Sequence, residues 1–464
     1  MGIKEKIFRK ESVASYIGQD KKLLKILTAK DLIGMGIGSV IGSGIFILPG
    51  TVAAMHSGPA IILSFVVAAL VCSFAAMCYA EFSSALPVAG SAYSFGNIVF
   101  GEGIGWFLGW SLIAEYMLAV ATVSTSWAAY FNSFIEGFGF KIPTALAGHF
   151  DPSHGTYINI IAVLIILSLG ILLHRGAHTS MAFNNVMVVV KIAIIVLFLL
   201  VGAFYVKPAN WTPFLPFGYS GVFTGASLVF FAFLGFDVVS AAAAEVKDPG
   251  KNMPKGIIGT LVICTALYIL VALVLTGMVS YTKLNVDDPV AFALRMVNQN
   301  WMAGILSIGA LAGMFTMMIT MTYSSSRLIY SISRDGLLPH YFSKVNQTTH
   351  NPDRSMWLVI IIIAIMGGTF SMTQLASLVN IGTLFAFACV SLGVIPLRKH
   401  PELKQHDGYR VPFYPVLPVI SFLLCCFMLS QLSVETWIAA VIWFALGITI
   451  YLTYGIHHSR LSQK

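Results

Sequence analysis

The chain has 464 residues, of which 57% are hydrophobic and 10% charged, with a mean hydropathy of +0.84 and a formal net charge of +8. Soluble globular domains carry about one charged residue in four, so this composition excludes one and specifies a polytopic membrane protein. No basic face with interleaved aromatics occurs in a soluble segment, which excludes nucleic-acid binding; the positive charge reads as topology and contact with anionic lipid.

Apolar runs of about 20 residues, the length that crosses a hydrocarbon core, fall in chain order at 32–55, 60–86, 104–136, 157–173, 181–205 and 219–245. Six more follow at 255–280, 293–332, 356–370, 374–396, 414–430 and 435–457, twelve in all. Residues 293–332 read as one long helix projecting beyond the bilayer, and 157–173 and 356–370 are short. Lys and Arg set the orientation. Twenty-two lie before Leu32, in the even-numbered loops or in the tail, against Lys141, Lys207, Lys283 and Arg295 in the opposite loops. Both termini are therefore expected in the cytoplasm of a plasma-membrane protein. The basic, amphipathic start shows no apolar core of a cleavable signal before Leu32.

The first run contains Gly42-Ser43-Gly44 where a helix should be continuous. Each Gly costs roughly 1 kcal/mol against Ala in a helix interior, and unwound backbone at membrane depth survives only where protein or water satisfies it. The sixth run carries a second interruption, Phe230-Phe231-Ala232-Phe233-Leu234-Gly235-Phe236-Asp237, five spans later. Paired breaks at positions one and six imply two five-helix inverted repeats. The expected organisation is a basic segment 1–31, repeats 32–205 and 219–396, a cytoplasmic loop 397–413, helices eleven and twelve at 414–457, and a tail 458–464.

Helix one enters from the cytoplasm, so its second half starts at mid-membrane with free N–H groups, the natural seat for a carboxylate. Ser43 and Gly44 are the candidates for that role, with Ile45 beside them in the substrate-binding set. The carbonyls of Val40 and Ile41, with those of Phe231, Ala232 and Leu234, suit an ammonium. Gly42 and Gly235 read as hinges, and Phe231 as an outer gate.

Lys191 sits about ten residues, roughly 15 Å, into span five, too deep to snorkel easily. It reads either as a structural cap on helix-one carbonyls or as a titratable amine. Glu115 and Asp237 are the other intramembrane acids, each a proton relay, a counter-charge for a cationic side chain, or a protonated acid bonded to a neighbouring helix. Glu81 and Glu245 fit gate or loop-anchoring ion pairs; Glu136 and Glu435 fit solvated positions. Met314, Met317, Met318 and Met321 form a stripe on span eight that is either core or, at Met321, pocket. Cys72, Cys78, Cys264, Cys389, Cys425 and Cys426 fall in apolar runs without metal-ligand spacing and read as small core residues. His174 and His178 beside Arg175 read as a solvated loop, with a metal pair as the rarer alternative. No cofactor is expected. A protein partner and the oligomeric state are not legible.

The wording of these segments resembles a known family. Asp31-Leu32 with Gly36-Ile37-Gly38-Ser39-Val40-Ile41-Gly42-Ser43-Gly44-Ile45-Phe46 is similar to the first-helix signature of amino acid–polyamine–organocation transporters. Pro87-Val88-Ala89-Gly90-Ser91-Ala92-Tyr93, Glu245-Val246-Lys247-Asp248-Pro249 and Met253-Pro254 resemble its loops after helices two and six. Tyr409-Arg410-Val411-Pro412, Pro415 and Pro418 resemble the cationic amino acid transporter branch, in a bacterial, twelve-span form. The resemblance implies a LeuT-like all-α fold, a zwitterionic substrate at the backbone positions above, and a Lys191 amine standing where sodium-coupled relatives hold a cation. The expected function is import of small neutral amino acids, extending to cationic ones, by proton-coupled, sodium-independent alternating access. An amino acid or polyamine exchanger on the same fold is the first alternative, a receptor or channel the second. No nucleophile–base pair at mid-depth supports an enzyme.

Overall fold

The computed structural model describes residues 6–13, 25–88, 90–174, 181–346, 352–403 and 408–462. The described residues are mainly helical in their apolar runs, with interruptions in the first and sixth, and eight stretches are long and apolar enough to cross a membrane. Two shorter apolar helices, Ile160–His174 and Val416–Ser430, accompany them.

In chain order the helices are α1 (Ala29–Val40), α2 (Leu48–Val52), α3 (Ile61–Ala85), α4 (Ser91–Val99), α5 (Glu102–Glu136), α6 (Ile160–His174), α7 (Met181–Ala203), α8 (Gly218–Val229) and α9 (Phe236–Ala241). There follow α10 (Pro249–Met278), α11 (Pro289–Met296), α12 (Asn300–Arg334), α13 (Asp353–Thr369), α14 (Met372–Lys399), α15 (Val416–Ser430) and α16 (Val434–Ile450). Two expectations about helix boundaries need correction. Residues 293–332 are not one helix: α11 ends at Met296, and Asn298 takes a left-handed conformation (φ 60°) before α12 starts. Asn tolerates that region where most residues do not. The loop after the second apolar run holds a helix of its own, α4, beginning just past Gly90.

Burial follows position. The most apolar window of Glu102–Glu136 is 89% buried, that of Val434–His458 only 22%, so α5 is central and α16 faces lipid. Helix α5 packs against α12 and α14, while α10 packs against α1 and α3. Capping is local: the Ser371 hydroxyl accepts from the Gln374 N–H (3.3 Å), and the Gln374 side chain returns a bond to the Ser371 N–H (3.0 Å), a reciprocal box at the start of α14.

The first and last described segments, residues 6–13 and 456–462, meet at one end of the bundle. Arg9 donates to Glu102 (3.3 Å) and Ser462 (3.1 Å), Tyr451 donates to Glu102 (3.1 Å), and Arg460 pairs with Glu11. At the same end the chain entering α1 pairs with the chain leaving α9. The Leu27 N–H donates to the Glu245 carbonyl (3.0 Å) and the Lys247 N–H to the Leu27 carbonyl (2.9 Å). Glu245 thus anchors this loop through its main chain. Glu81 is in an ion pair: Arg398 grips it bidentately at 2.7 and 2.8 Å, and the Val411 N–H adds a third bond at 2.6 Å.

The exposed positions of Glu136 and Glu435 agree with solvated acids. Of the six cysteines, Cys426 is exposed and Cys389 half-buried, correcting the reading of all six as core. His174 lies 3.4 Å from Asp353, and His178 falls outside the described residues.

Candidate substrate-binding site

The first break follows from how its amides turn. The Ile41 N–H still closes the helix on the Ile37 carbonyl, but the Gly42 N–H folds back to Val40 (3.0 Å). That leaves the Gly38 carbonyl without its amide four residues on, and the chain passes through a single tight turn, Ser43–Ile45, before α2. The N–H groups of Ser43, Gly44 and Ile45 open this turn and have no carbonyl of their own segment ahead of them. The Ser43 hydroxyl is fully buried and makes no hydrogen bond.

The second break is built differently. A turn over Phe230–Phe233 ends at Leu234 in extended conformation, and Gly235 then takes φ 108° to start α9. A side chain there would be strained, and its Cβ would lie 2.8 Å from the Ser39 carbonyl oxygen. The Gly235 carbonyl accepts from the Ser39 hydroxyl (2.9 Å), which ties α1 to α9.

The two breaks face each other. A Cβ on Gly44 would lie 2.7 Å from both Cα and Cβ of Ala232, so the unwound segments are in main-chain contact. Val40, Ile41, Ser43, Ile45, Phe231, Ala232 and Leu234 are all buried. The two segments that hold the backbone positions singled out in the sequence are packed together at Gly44 and Ala232.

Side chains already occupy several of the carbonyls. The Lys191 amine donates to Gly38 (2.9 Å) and Ile41 (3.0 Å), the first being the carbonyl that the turn at Gly42 strands. The Tyr268 hydroxyl reaches Ala232 (2.6 Å) and Val40 (3.1 Å), and the Phe231 carbonyl accepts from the Leu234 N–H (3.2 Å). Sequence reasoning missed Tyr268; its one legible signal is a phenol in an apolar run, whose polar tip needs a partner.

Met321 and Met317 bear on the breaks one turn apart. The Met321 methyl would lie 3.1 Å from a Cβ on Gly235, and the Met317 sulfur 2.0 Å from one on Gly42. The stripe therefore touches both breaks, through Met317 as well as through Met321, the member singled out in the sequence. Beyond Gly235, Asp237 accepts from the Tyr116 hydroxyl (2.7 Å), leaving one carboxylate oxygen unbonded. Among the described residues, neither oxygen of buried Glu115 has a hydrogen-bond partner, nor has the buried Tyr79 hydroxyl.

The amino acid permease family model matches residues 27–456. The chain belongs to that family, within the amino acid–polyamine–organocation superfamily. It is 49% identical over 460 residues to a methylthioribose transporter of Bacillus subtilis, covering 98% of this chain and 99% of the relative. It is 44% identical over 468 residues to the branched-chain amino acid permease BcaP of the same organism, covering 99% and 100%. It is also 35% identical over 386 residues to the vacuolar cationic amino acid transporter 4 of Arabidopsis thaliana, covering 82% of this chain and 64% of that one. The family and these relatives are transporters, not enzymes, and amino acid transport across a membrane is the activity the family supports.

Proposed function

We propose that this permease imports small neutral amino acids by alternating access, coupled to protons and independent of sodium, on a twelve-span fold of two inverted five-helix repeats plus two helices, with cytoplasmic termini. The observation that carries the proposal is the contact between Gly44 and Ala232, which sets an unwound donor segment against an unwound acceptor segment. Parting them exposes the N–H groups of Ser43, Gly44 and Ile45 to a carboxylate. It also exposes the carbonyls of Val40, Ile41, Phe231, Ala232 and Leu234 to an ammonium. Gly42 and Gly235 take up the backbone change, and Phe231, buried beside the second break, gates it.

Lys191 is the coupling group in this reading. A neutral amine still has two N–H donors for the two carbonyls it meets, but the ammonium bonds them roughly twice as strongly. Proton release toward the cytoplasm therefore loosens α1 at its break and favours inward opening. Glu115 and Asp237 are the secondary proton-handling groups, and Glu115 with Met321 borders the side-chain space. Protons and the amino acid are the only co-substrates required. Anionic lipid is expected at the basic cytoplasmic face.

A second reading takes its substrate from the methylthioribose relative. It is favoured by the unbonded oxygens of Glu115, Asp237 and Tyr79, acceptors and a donor suited to the hydroxyls of a sugar. Proteoliposomes without internal substrate, placed in acidic medium, separate these readings. Labelled alanine should accumulate saturably, collapse with a protonophore and ignore sodium. Uptake only after preloading with amino acid would make the protein an exchanger, non-saturating flux a channel, and accumulation of methylthioribose but not alanine a sugar carrier.

A further inference from the structure

One face of α12 addresses the site at every turn. Gly309, Gly313, Met317 and Met321 are spaced by four and therefore share a face. In order they meet Ile194, Lys191, Gly42 and Gly235.

At Gly313 the missing side chain is filled by the lysine itself. A Cβ there would lie 3.1 Å from Cγ and Cε of Lys191 and 3.4 Å from Cδ, inside the ~3.5–4.0 Å at which carbon atoms pack best. The stem thus lies flat on the bare backbone of α12 while the amine is fixed at 2.9 and 3.0 Å from two carbonyls of the first break. Held at both ends, the side chain has no slack to absorb a methyl group without lengthening those bonds.

We propose that Gly313 is a positioning residue for the coupling lysine, supplying the slot in which Lys191 lies so that its amine reaches Gly38 and Ile41. This rests on the reading of Lys191 as the coupling group. Met317, one turn further on, seats against Gly42, so the same rigid face bears on both the lysine and the break it caps. Around the amine, α1 contributes main-chain carbonyls, α12 a glycine, and α10 the thiol of Cys264, the titratable side chain beside it. Cys264→Ser is therefore the control for any change in pH profile.

The test compares Gly313→Ala with Gly309→Ala, whose Cβ would lie 1.8 Å from Cδ1 of Ile194 across the same pair of helices. Acid-driven uptake of labelled alanine should fall roughly tenfold in Gly313→Ala, the loss expected for one weakened charge-assisted bond, with a displaced pH profile. Counterflow at fixed pH and stabilisation by alanine should be kept. Gly309→Ala and Cys264→Ser should retain the wild-type pH profile. A wild-type profile in Gly313→Ala, or equal losses in both glycine variants, would overturn the proposal. If Gly313→Ala does not fold, Gly313→Ala with Lys191→Ala should, because the stem is gone; failure of that double variant also overturns it. Lys191→Ala alone reports on the underlying reading: acid-driven uptake retained there removes the coupling role, whatever Gly313 does.

Discussion

The Tyr268 hydroxyl lies 2.6 Å from the Ala232 carbonyl oxygen and 3.1 Å from that of Val40, so one side chain of α10 holds both broken helices at their breaks. The phenol has one proton to donate, shared between two carbonyls that are both within reach only while the breaks stay together. Tyr268→Phe should lower the thermal stability of the substrate-free protein by the equivalent of about 1 kcal/mol. It should slow counterflow several-fold while the protein still folds. Thermal unfolding and counterflow in one preparation check both, and unchanged values in the variant would make the bond incidental.

The two glycines of the first break should respond differently to the same methyl group. Gly42→Ala meets only the thioether of Met317, a flexible chain that shortening removes, so Gly42→Ala with Met317→Ala should recover transport lost in the single variant. Gly44→Ala meets the main chain of Ala232 and should stay inactive in the same Met317→Ala background. Uptake by the four variants forms a double-mutant comparison; equal rescue at both positions would contradict the geometry.

Met321 packs beside Gly235 at the rim of the second break. Met321→Ser removes most of a long apolar side chain, and larger or cationic amino acids should gain in competition against alanine uptake. A substrate profile identical to wild type would place the residue in the core.

A pH effect independent of transport is expected where the termini meet. Burial raises the Asp335 carboxyl above its usual 3.8, opposed by Arg334, by the Tyr93 hydroxyl bond at 2.8 Å and by Arg460, and reinforced by Glu11. A raised carboxyl keeps its proton in the folded state after the unfolded chain has lost its own. Its contribution to stability is therefore full below pH 3.8 and is lost as pH rises through the folded value. Asp335→Asn keeps an acceptor for Tyr93 but cannot ionise, so it should flatten this part of the dependence of unfolding temperature on pH. A slope equal to wild type would assign the effect to other groups.

Both breaks were legible because clustered Gly and small residues at mid-span weaken a continuous helix, and although close helix packing also uses glycine, two such clusters five spans apart favour paired unwound segments. The depth of Lys191 was legible for the same reason, an expensive group where none should be. What contacts the breaks was not. Tyr268, Met317 and Ser39 lie far from their partners in sequence and obey no spacing rule, so only packing brings them there. Helix α4 was hidden in a loop, and the separation of α11 from α12 turns on the single conformation of Asn298. Three of the carbonyls expected to meet substrate, those of Val40, Ile41 and Ala232, are engaged by Lys191 and Tyr268, a competition that pattern alone gives no way to see.

In the proposed function the facing breaks bind an amino acid by its backbone groups. The direct measurement is ligand-induced thermal stabilisation across the twenty amino acids and methylthioribose, in wild type and in Gly44→Ala. Alanine and similarly small neutral amino acids should stabilise the wild type, increasingly with concentration, and should not stabilise folded Gly44→Ala. Stabilisation by none of the twenty, or undiminished stabilisation in Gly44→Ala, would contradict this mode of binding.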